Sequence, residues 1–198
     1  MNRSIYTFIL LLLLSTAAFA QLKSPAEFLG YELGEQWTPH HRVHDYFHHV
    51  VENSDLVTVT KYGTTYEGRV LYYATVTSQE NMQRIEEIRT DNLKRVGFVD
   101  GEPTEDKIPI VWMSYNVHGN ETSSSEAAMN TIYTLLTDKK DWLNDVVVLI
   151  DPMINPDGRD RYVYWNKSVT GAQVNANPES REHIEPWPGG RTNHYYVD

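Results

Sequence analysis

The chain has 198 residues, of which 40% are hydrophobic and 12% aromatic, which excludes a disordered composition and allows one packed domain. Its formal net charge is −10, which excludes the basic footprint that nucleic-acid binding requires. Because it has no cysteine, disulfide bonds are excluded, and packing and metal binding are the means left to stabilise the fold.

The N-terminus has the pattern of a secretory signal peptide. Arg3 precedes an apolar stretch, and the small-x-small cleavage site Ala18-Phe-Ala20 follows it. We therefore expect residues 1–20 to be removed and residues 21–198 to be exported, to a periplasm or to the cell exterior. Removal takes away one arginine and no acidic residue, so the net charge becomes −11. The alternative is an uncleaved N-terminal anchor, although the apolar run is short for a membrane span.

The first half of the mature chain predicts two helices with a hairpin between them. Residues 39–53 have the apolar spacing of a helix that Thr38 could cap. Two alternating apolar runs, at 56–60 and 69–77, predict strands joined by a glycine-containing turn. A charged helix is predicted over 78–94, and a polar loop follows it.

Histidines are concentrated on the first predicted helix. His40, His44 and His48 recur at every fourth position, a spacing that places side chains on one face and could bind a metal ion. His49-Val-Val-Glu52 adds a His-x-x-Glu spacing on the same helix. We interpret these residues as an exposed polar face, with metal binding as the alternative.

The second half begins with a strand, a helix and a strand. An apolar strand is predicted over 108–117, and a capping box at Ser123-Ser-Ser-Glu126 starts a helix that extends to about Asp138. The continuous apolar run 146–150 is typical of a strand buried on both faces. This order predicts a parallel pair with a right-handed crossover. Residues 159–198 have no clear period and are predicted to be irregular.

One metal-binding motif lies at the strand-to-helix turn. His118-Gly-Asn-Glu121 follows the first strand of the parallel pair, and Asn155 follows the second, so both face the same sheet edge. Catalytic zinc takes three protein ligands, often two His and one Glu, and keeps a position for water. We predict that His118 and Glu121 bind Zn²⁺, with Gly119 allowing a sharp bend between them.

These motifs, in this order, resemble the N-terminal half of the catalytic domain of the zinc carboxypeptidase family. The resemblance covers residues 38–198, and it includes Asn155-Pro-Asp-Gly158 and the turn Tyr66-Glu-Gly-Arg69. It implies an α/β fold with a mixed, largely parallel central sheet flanked by helices. Residues 21–198 would then be the N-terminal portion of such a domain, truncated at the C-terminus.

The resemblance also implies roles in a zinc site. His118 and Glu121 match the family's first two zinc ligands. Tyr195-Tyr-Val-Asp198 resembles the segment that leads into the family's Asn-Arg substrate clamp, which would make Asp198 a hydrogen-bond partner of His118. A third ligand, a His, and the catalytic Glu base would both lie downstream of residue 198.

Further residues are assigned to the substrate cleft and to the incomplete ligand set. Asn155, Asp157 and Gly158 match the turn that helps to build the family's cleft. Three cations could replace the family's carbonyl-polarising arginine or could be ordinary surface charges: Arg159, Arg161 and Lys167. The candidates within this chain for a third zinc ligand are His183 and His194.

The function implied is a zinc-dependent metallocarboxypeptidase that hydrolyses C-terminal bonds of a protein, a peptide or a cell-wall peptide. We expect the 198 residues alone to have little or no activity, because a third ligand and the catalytic base would be missing. One alternative is an acyl-amide hydrolase of the same fold, of the aspartoacylase-like branch. The other is a non-catalytic peptide- or glycan-binding module that uses the aromatic residues Trp187, Tyr195 and Tyr196.

Overall fold

The computed structural model describes residues 21–173 and 175–198, and over these ranges the chain forms a mixed four-stranded sheet covered by helices. The strands are β1 (Val57–Thr64), β2 (Val70–Val76), β3 (Ile110–Ser114) and β4 (Val147–Asp151). The α-helices are α1 (Pro25–Leu29), α2 (His40–Glu52), α3 (Gln79–Gln83), α4 (Ile85–Arg95), α5 (Ser123–Leu136) and α6 (Pro156–Val169). Two short 3-10 helices cover Lys140–Asn144 and Arg181–His183. None of the helices within these ranges is long and apolar enough to cross a membrane. The predicted signal peptide lies outside the described residues.

The sheet order is β1-β2-β4-β3. β1 and β2 form an antiparallel hairpin, and β2 pairs antiparallel with β4. β3 and β4 are parallel, from Ile110 opposite Val147 to Ser114 opposite Asp151, with α5 as the crossover helix. The predicted parallel pair and the α/β fold class with a mixed sheet are therefore confirmed, although two of the three strand pairings in the described residues are antiparallel.

α2 and α5 pack against each other. α2 also packs against β1, and α5 packs against β4, so the hydrophobic core lies between these elements. The predicted stripe of α2 is buried: Val43, Phe47 and Val50 are fully covered. β4 is buried along most of its length, as its continuous apolar run predicts. The burial of each such apolar side chain stabilises the folded state by about 1.5–3 kcal/mol.

Several local predictions are wrong at helix ends. Thr38 does not cap α2; instead the N–H of His40 donates to Asp160 Oδ1 at 2.8 Å, so the cap comes from α6. The helix predicted over 78–94 is two helices, because the backbone turns out of helical geometry at Arg84 (φ −117°, ψ 26°). The predicted capping box of α5 does not form, and its Glu126 side chain is buried instead.

The prediction that residues 159–198 are irregular is wrong for residues 159–169, which belong to α6. The Asn155 side chain accepts from the N–H of Gly158 at 2.9 Å, and Pro156 occupies the first turn, which starts the helix. An apolar period is missing from this segment because its inward face carries Asp157, Arg159 and Asp160. A helix whose buried face is polar cannot be predicted from the spacing of its hydrophobic residues.

Candidate metal centre

The turns that follow β3 and β4 lie side by side. Backbone hydrogen bonds continue beyond the strands: the Tyr115 N–H donates to Asp151 O (2.9 Å) and Ile154 N–H to Tyr115 O (3.0 Å). The Asn155 N–H then donates to Asn116 O at 3.1 Å. As a result, the turn before α5 and the first turn of α6 share the carboxyl edge of the sheet, where open α/β sheets bind ligands.

Asn116 fixes the path of the turn before α5. Its backbone is left-handed (φ 55°), a conformation that asparagine tolerates better than most residues. Its buried side chain donates to the carbonyl of His118 at 2.9 Å, and its N–H donates to Ser124 Oγ at 2.7 Å. Sequence reasoning missed this residue, since a single Asn after a strand is a common turn signal.

His118 lies between two carboxylates. Its Nδ1 is 3.0 Å from Glu121 Oε1, and its Nε2 is 2.7 Å from Asp198 Oδ1. The His118 side chain is 24% exposed, whereas the side chains of Glu121 and Asp198 are more than half exposed. The structure thus brings together the two residues predicted as ligands and the residue predicted as the hydrogen-bond partner of His118.

Arg191 completes the cluster. Its Nε donates to Asp198 Oδ2 at 2.7 Å, and its Nη1 lies 3.7 Å from Glu121 Oε1. This hydrogen bond, followed by the positive charge of Arg191, lowers the pKa of Asp198, so that its carboxyl is ionised at neutral pH. An ionised Asp198 accepts a hydrogen bond from the Nε2–H of His118, and in that tautomer of the neutral ring the lone pair lies on Nδ1, on the side of Glu121. Sequence reasoning missed Arg191, which lies in a segment without periodicity.

The donor atoms at this turn fit zinc. Imidazole nitrogen and carboxylate oxygen are both zinc ligands, at bond lengths of about 2.0–2.2 Å, and two such ligands of a tetrahedral ion lie about 3.4 Å apart. The observed Nδ1–Oε1 distance of 3.0 Å is near that value. In the neutral tautomer that donates Nε2–H to Asp198, Nδ1 would be available to coordinate the ion.

Three glycines allow the turns to approach. A Cβ atom on Gly119 would lie 2.1 Å from the carbonyl carbon of Gly158 and 2.3 Å from the oxygen of Gly190. A Cβ on Gly158 would lie 2.3 Å from the same Gly190 oxygen. Gly119 lies in a sharp turn, as predicted, which the hydrogen bond from the Glu121 N–H to His118 O closes at 3.1 Å, and the close packing of three segments is what excludes a side chain there.

The residues predicted for the substrate cleft are mostly engaged in internal contacts. Asn155 caps α6 and donates from Nδ2 to the carbonyl of Arg191 at 3.2 Å. Asp157 is buried, and it accepts from Thr65 Oγ1 at 2.8 Å and from Arg69 Nη1 at 2.7 Å. These contacts join α6 to the β1–β2 turn and to the C-terminal segment.

The three candidate cations have different surroundings. Arg161 donates to the carbonyls of Gly189 (3.0 Å) and Thr192 (2.6 Å), so it holds the C-terminal segment against α6. Arg159 is fully buried, so the prediction that it could be an ordinary surface charge is wrong. Lys167 is exposed in the last turn of α6.

The candidate third ligands are placed elsewhere. The His194 ring stacks on Tyr66 at 4.0 Å, with Nδ1 3.4 Å from Glu67 Oε1. His183 Nε2 lies 2.6 Å from the carbonyl oxygen of Asn175. Over residues 21–173 and 175–198, no group of three or more His, Cys, Asp or Glu side chains could hold a metal ion.

Comparison with known proteins decides the family. The family model for zinc carboxypeptidases matches residues 43–194. The chain belongs to the zinc carboxypeptidase family. No curated protein matches its sequence.

Several solved structures are similar to this chain. Carboxypeptidase A from Helicoverpa armigera is 18% identical with a TM-score of 0.52, and the match covers 97% of this chain and 36% of that one. A metallo-carboxypeptidase from Burkholderia cenocepacia is 20% identical over 63% of this chain and 28% of its own, with a TM-score of 0.42. Bovine thrombin-activatable fibrinolysis inhibitor is 18% identical over 64% and 33%, with a TM-score of 0.46. The chain thus spans about a third of the length of these structures.

Proposed function

We propose that this zinc carboxypeptidase-family chain is the N-terminal part of a catalytic domain that hydrolyses C-terminal peptide bonds with zinc. The observation that carries the proposal is the arrangement of His118, whose Nδ1 faces Glu121 while Nε2 contacts Asp198. Membership of the family supports a hydrolase with peptide substrates.

In this proposal each side chain has a defined task. His118 and Glu121 hold the ion, and Asp198 orients the His118 ring by accepting its Nε2–H. Arg191 keeps Asp198 ionised through the 2.7 Å hydrogen bond. When bound, zinc polarises the scissile carbonyl and lowers the pKa of its water to about 7.

Zinc binding by the complete 198-residue chain tests the proposed ligands. The chain offers a matched control, because His49 and Glu52 have the same His-x-x-Glu spacing. In a background that lacks His44 and His48, we expect His118→Ala and Glu121→Gln each to weaken zinc binding at least about tenfold. His49→Ala is expected to leave it unchanged, as measured by competition with a chromophoric chelator. Equal affinities for all these variants would refute the assignment.

We propose that the 198-residue chain by itself has little or no peptidase activity. Two protein ligands hold zinc weakly, whereas catalytic sites use three. Turnover of peptides with free C-termini measures this directly. Turnover that disappears in His118→Ala would contradict it, and would show that residues 1–198 contain a working site.

The exposed aromatic residues favour a second candidate, a non-catalytic peptide-binding module. Trp187 is 78% exposed and lies 5.8 Å from the ring of Tyr196, and Tyr66 and Tyr195 are also exposed. Peptide affinity that is lost in Trp187→Ala but kept in His118→Ala would favour this candidate. Loss of affinity in His118→Ala would favour the metallopeptidase.

We also propose that the protein is exported, with cleavage after Ala20. The sequence pattern of residues 1–20 supports this proposal. In a bacterial host, we expect a secreted species whose mass corresponds to a chain that begins at Gln21. Leu12→Arg should keep the chain in the cytoplasm, because a charge interrupts the apolar region. A full-length chain retained at the membrane would identify an anchor instead.

A further inference from the structure

Two histidines on α2 lie against each other, apart from the candidate metal centre. The Nε2 atoms of His44 and His48 are 3.2 Å apart, and their ring centroids are 4.3 Å apart. His44 is half-buried and His48 is exposed, so solvent reaches the pair from the side of His48.

We propose that His44 and His48 bind one divalent transition-metal ion through their Nε2 atoms, with water as the remaining ligands. Two ligands at about 2.0–2.1 Å from a tetrahedral ion lie about 3.4 Å apart, and the observed 3.2 Å is close to that value. Imidazole suits Zn²⁺, Cu²⁺ and Ni²⁺, and Cu²⁺ generally binds most tightly. Hard cations such as Mg²⁺ and Ca²⁺ prefer oxygen and are not expected here.

The fold holds one of the two rings in place before any metal binds. The His44 ring packs edge-on against Tyr72 of β2, with centroids 5.1 Å apart, and Tyr72 is buried. α2 is itself fixed in the core by its buried apolar face. Since one ring is held this way, less side-chain freedom is lost when the second ring joins it on a metal ion.

The proposed site consists of two histidines, because the third histidine on this face of the helix is directed elsewhere. His40 lies further along the same face, with its ring centroid 6.1 Å from that of His44. The Nε2 of His40 is 3.4 Å from the carbonyl of Val70, which directs it towards the sheet. Burial, followed by the charges of His48 and His40, lowers the pKa of His44, which favours the neutral ring that coordinates metals.

Metal binding requires only a shift of tautomer. In the metal-free pair, one Nε2–H donates to the Nε2 of the other ring, so one proton lies between them. For both Nε2 atoms to coordinate, that proton must leave Nε2, and the same ring must take one up on Nδ1 from water. When both rings are neutral, the ion binds without net proton release.

The test uses Cu²⁺ and Ni²⁺ with the complete chain, without an added oligohistidine tag. His118→Ala is present throughout, so that the candidate metal centre does not contribute. Titration calorimetry is expected to show one strong site. His44→Gln and His48→Gln should each weaken it at least about tenfold, whereas His41→Gln, an exposed histidine of the same helix, should not.

Electron paramagnetic resonance of the Cu²⁺ form gives a second readout. We expect hyperfine coupling to two imidazole nitrogens, and to one after His48→Gln. Because His48 is exposed, its replacement leaves the fold intact, and circular dichroism verifies this. Unchanged affinity in the His44→Gln/His48→Gln double variant would overturn the proposal, as would the absence of a strong site in the His118→Ala chain. The zinc-binding assay of His118 and Glu121 uses a background that lacks His44 and His48, so its result does not depend on this proposal.

Discussion

At the scale of single residues, glycines determine how closely the parts of the candidate metal centre approach. Gly119, Gly158 and Gly190 belong to three different segments, and their backbones pack where a side chain would overlap neighbouring atoms. The segment of Gly190 also carries Arg191 and Asp198, which contact the ligand side chains. Close backbone packing thus brings a distant part of the chain to His118.

Gly119→Ala should therefore destabilise the fold. The added Cβ would lie 2.1 Å from one backbone atom and 2.2 Å from another, and backbone atoms cannot move aside as side chains do. We expect a loss of about 3 kcal/mol or more in the free energy of unfolding, measured with urea. Gly171→Ala is the matched control, since its nearest neighbour would be 3.8 Å away. Equal urea midpoints for the two variants would contradict this reading.

At the scale of elements, a buried ion pair connects three helices. Arg159 of α6 donates from Nη2 to both carboxylate oxygens of Glu126 on α5, at 2.7 and 2.8 Å. Its Nε donates to the carbonyl of Thr38, just before α2, at 3.0 Å, and Glu126 accepts from the N–H of Thr38. Burial lowers the pKa of Arg159, and the carboxylate of Glu126 opposes this shift.

Glu126→Gln should be strongly destabilising, because it leaves the guanidinium of Arg159 buried without a counter-charge. We expect a loss of about 3–5 kcal/mol in urea unfolding. The control is Glu86→Gln, which breaks the exposed Arg89–Glu86 pair at 2.8 Å. That change should stay within about 0.5 kcal/mol. A similar effect of both variants would show that the buried pair contributes no more than a surface pair.

A second buried charge lies at the end of β4. Burial raises the pKa of Asp151, and hydrogen bonds from the Tyr62 hydroxyl (2.5 Å) and the Met153 N–H (3.2 Å) oppose the rise. Because the folded pKa exceeds the unfolded pKa of about 3.9, the stabilisation is complete below that value and is lost as pH rises through the folded pKa.

Wild type should therefore lose stability relative to Asp151→Asn as pH rises from 3.5 to 7. Urea unfolding at several pH values measures the difference. Tyr62→Phe removes the hydroxyl that lowers the pKa of Asp151, so its loss of stability should extend to higher pH. A difference between wild type and Asp151→Asn that does not change with pH would show that Asp151 has no raised pKa.

At the scale of the whole molecule, a contact could be predicted from the sequence only where the two residues are close together along the chain. His118 and Glu121 are three residues apart, so their joint position at one turn follows from local structure. Glu126 and Arg159 are 33 residues apart, and no local pattern links them. The same is true of Arg191, which reaches Glu121 only because the C-terminal segment folds back across α6.

Through that segment, the candidate metal centre depends on Arg161. Arg161 donates to the carbonyls of Gly189 and Thr192 and to Glu67, so Arg161→Gln should release residues 189–198. We expect faster amide hydrogen exchange there, and about tenfold weaker zinc binding, because Asp198 no longer orients His118. Arg89→Gln, which removes an exposed arginine, should change neither measurement. Faster exchange with unchanged zinc affinity would show that His118 and Glu121 hold their geometry without the segment.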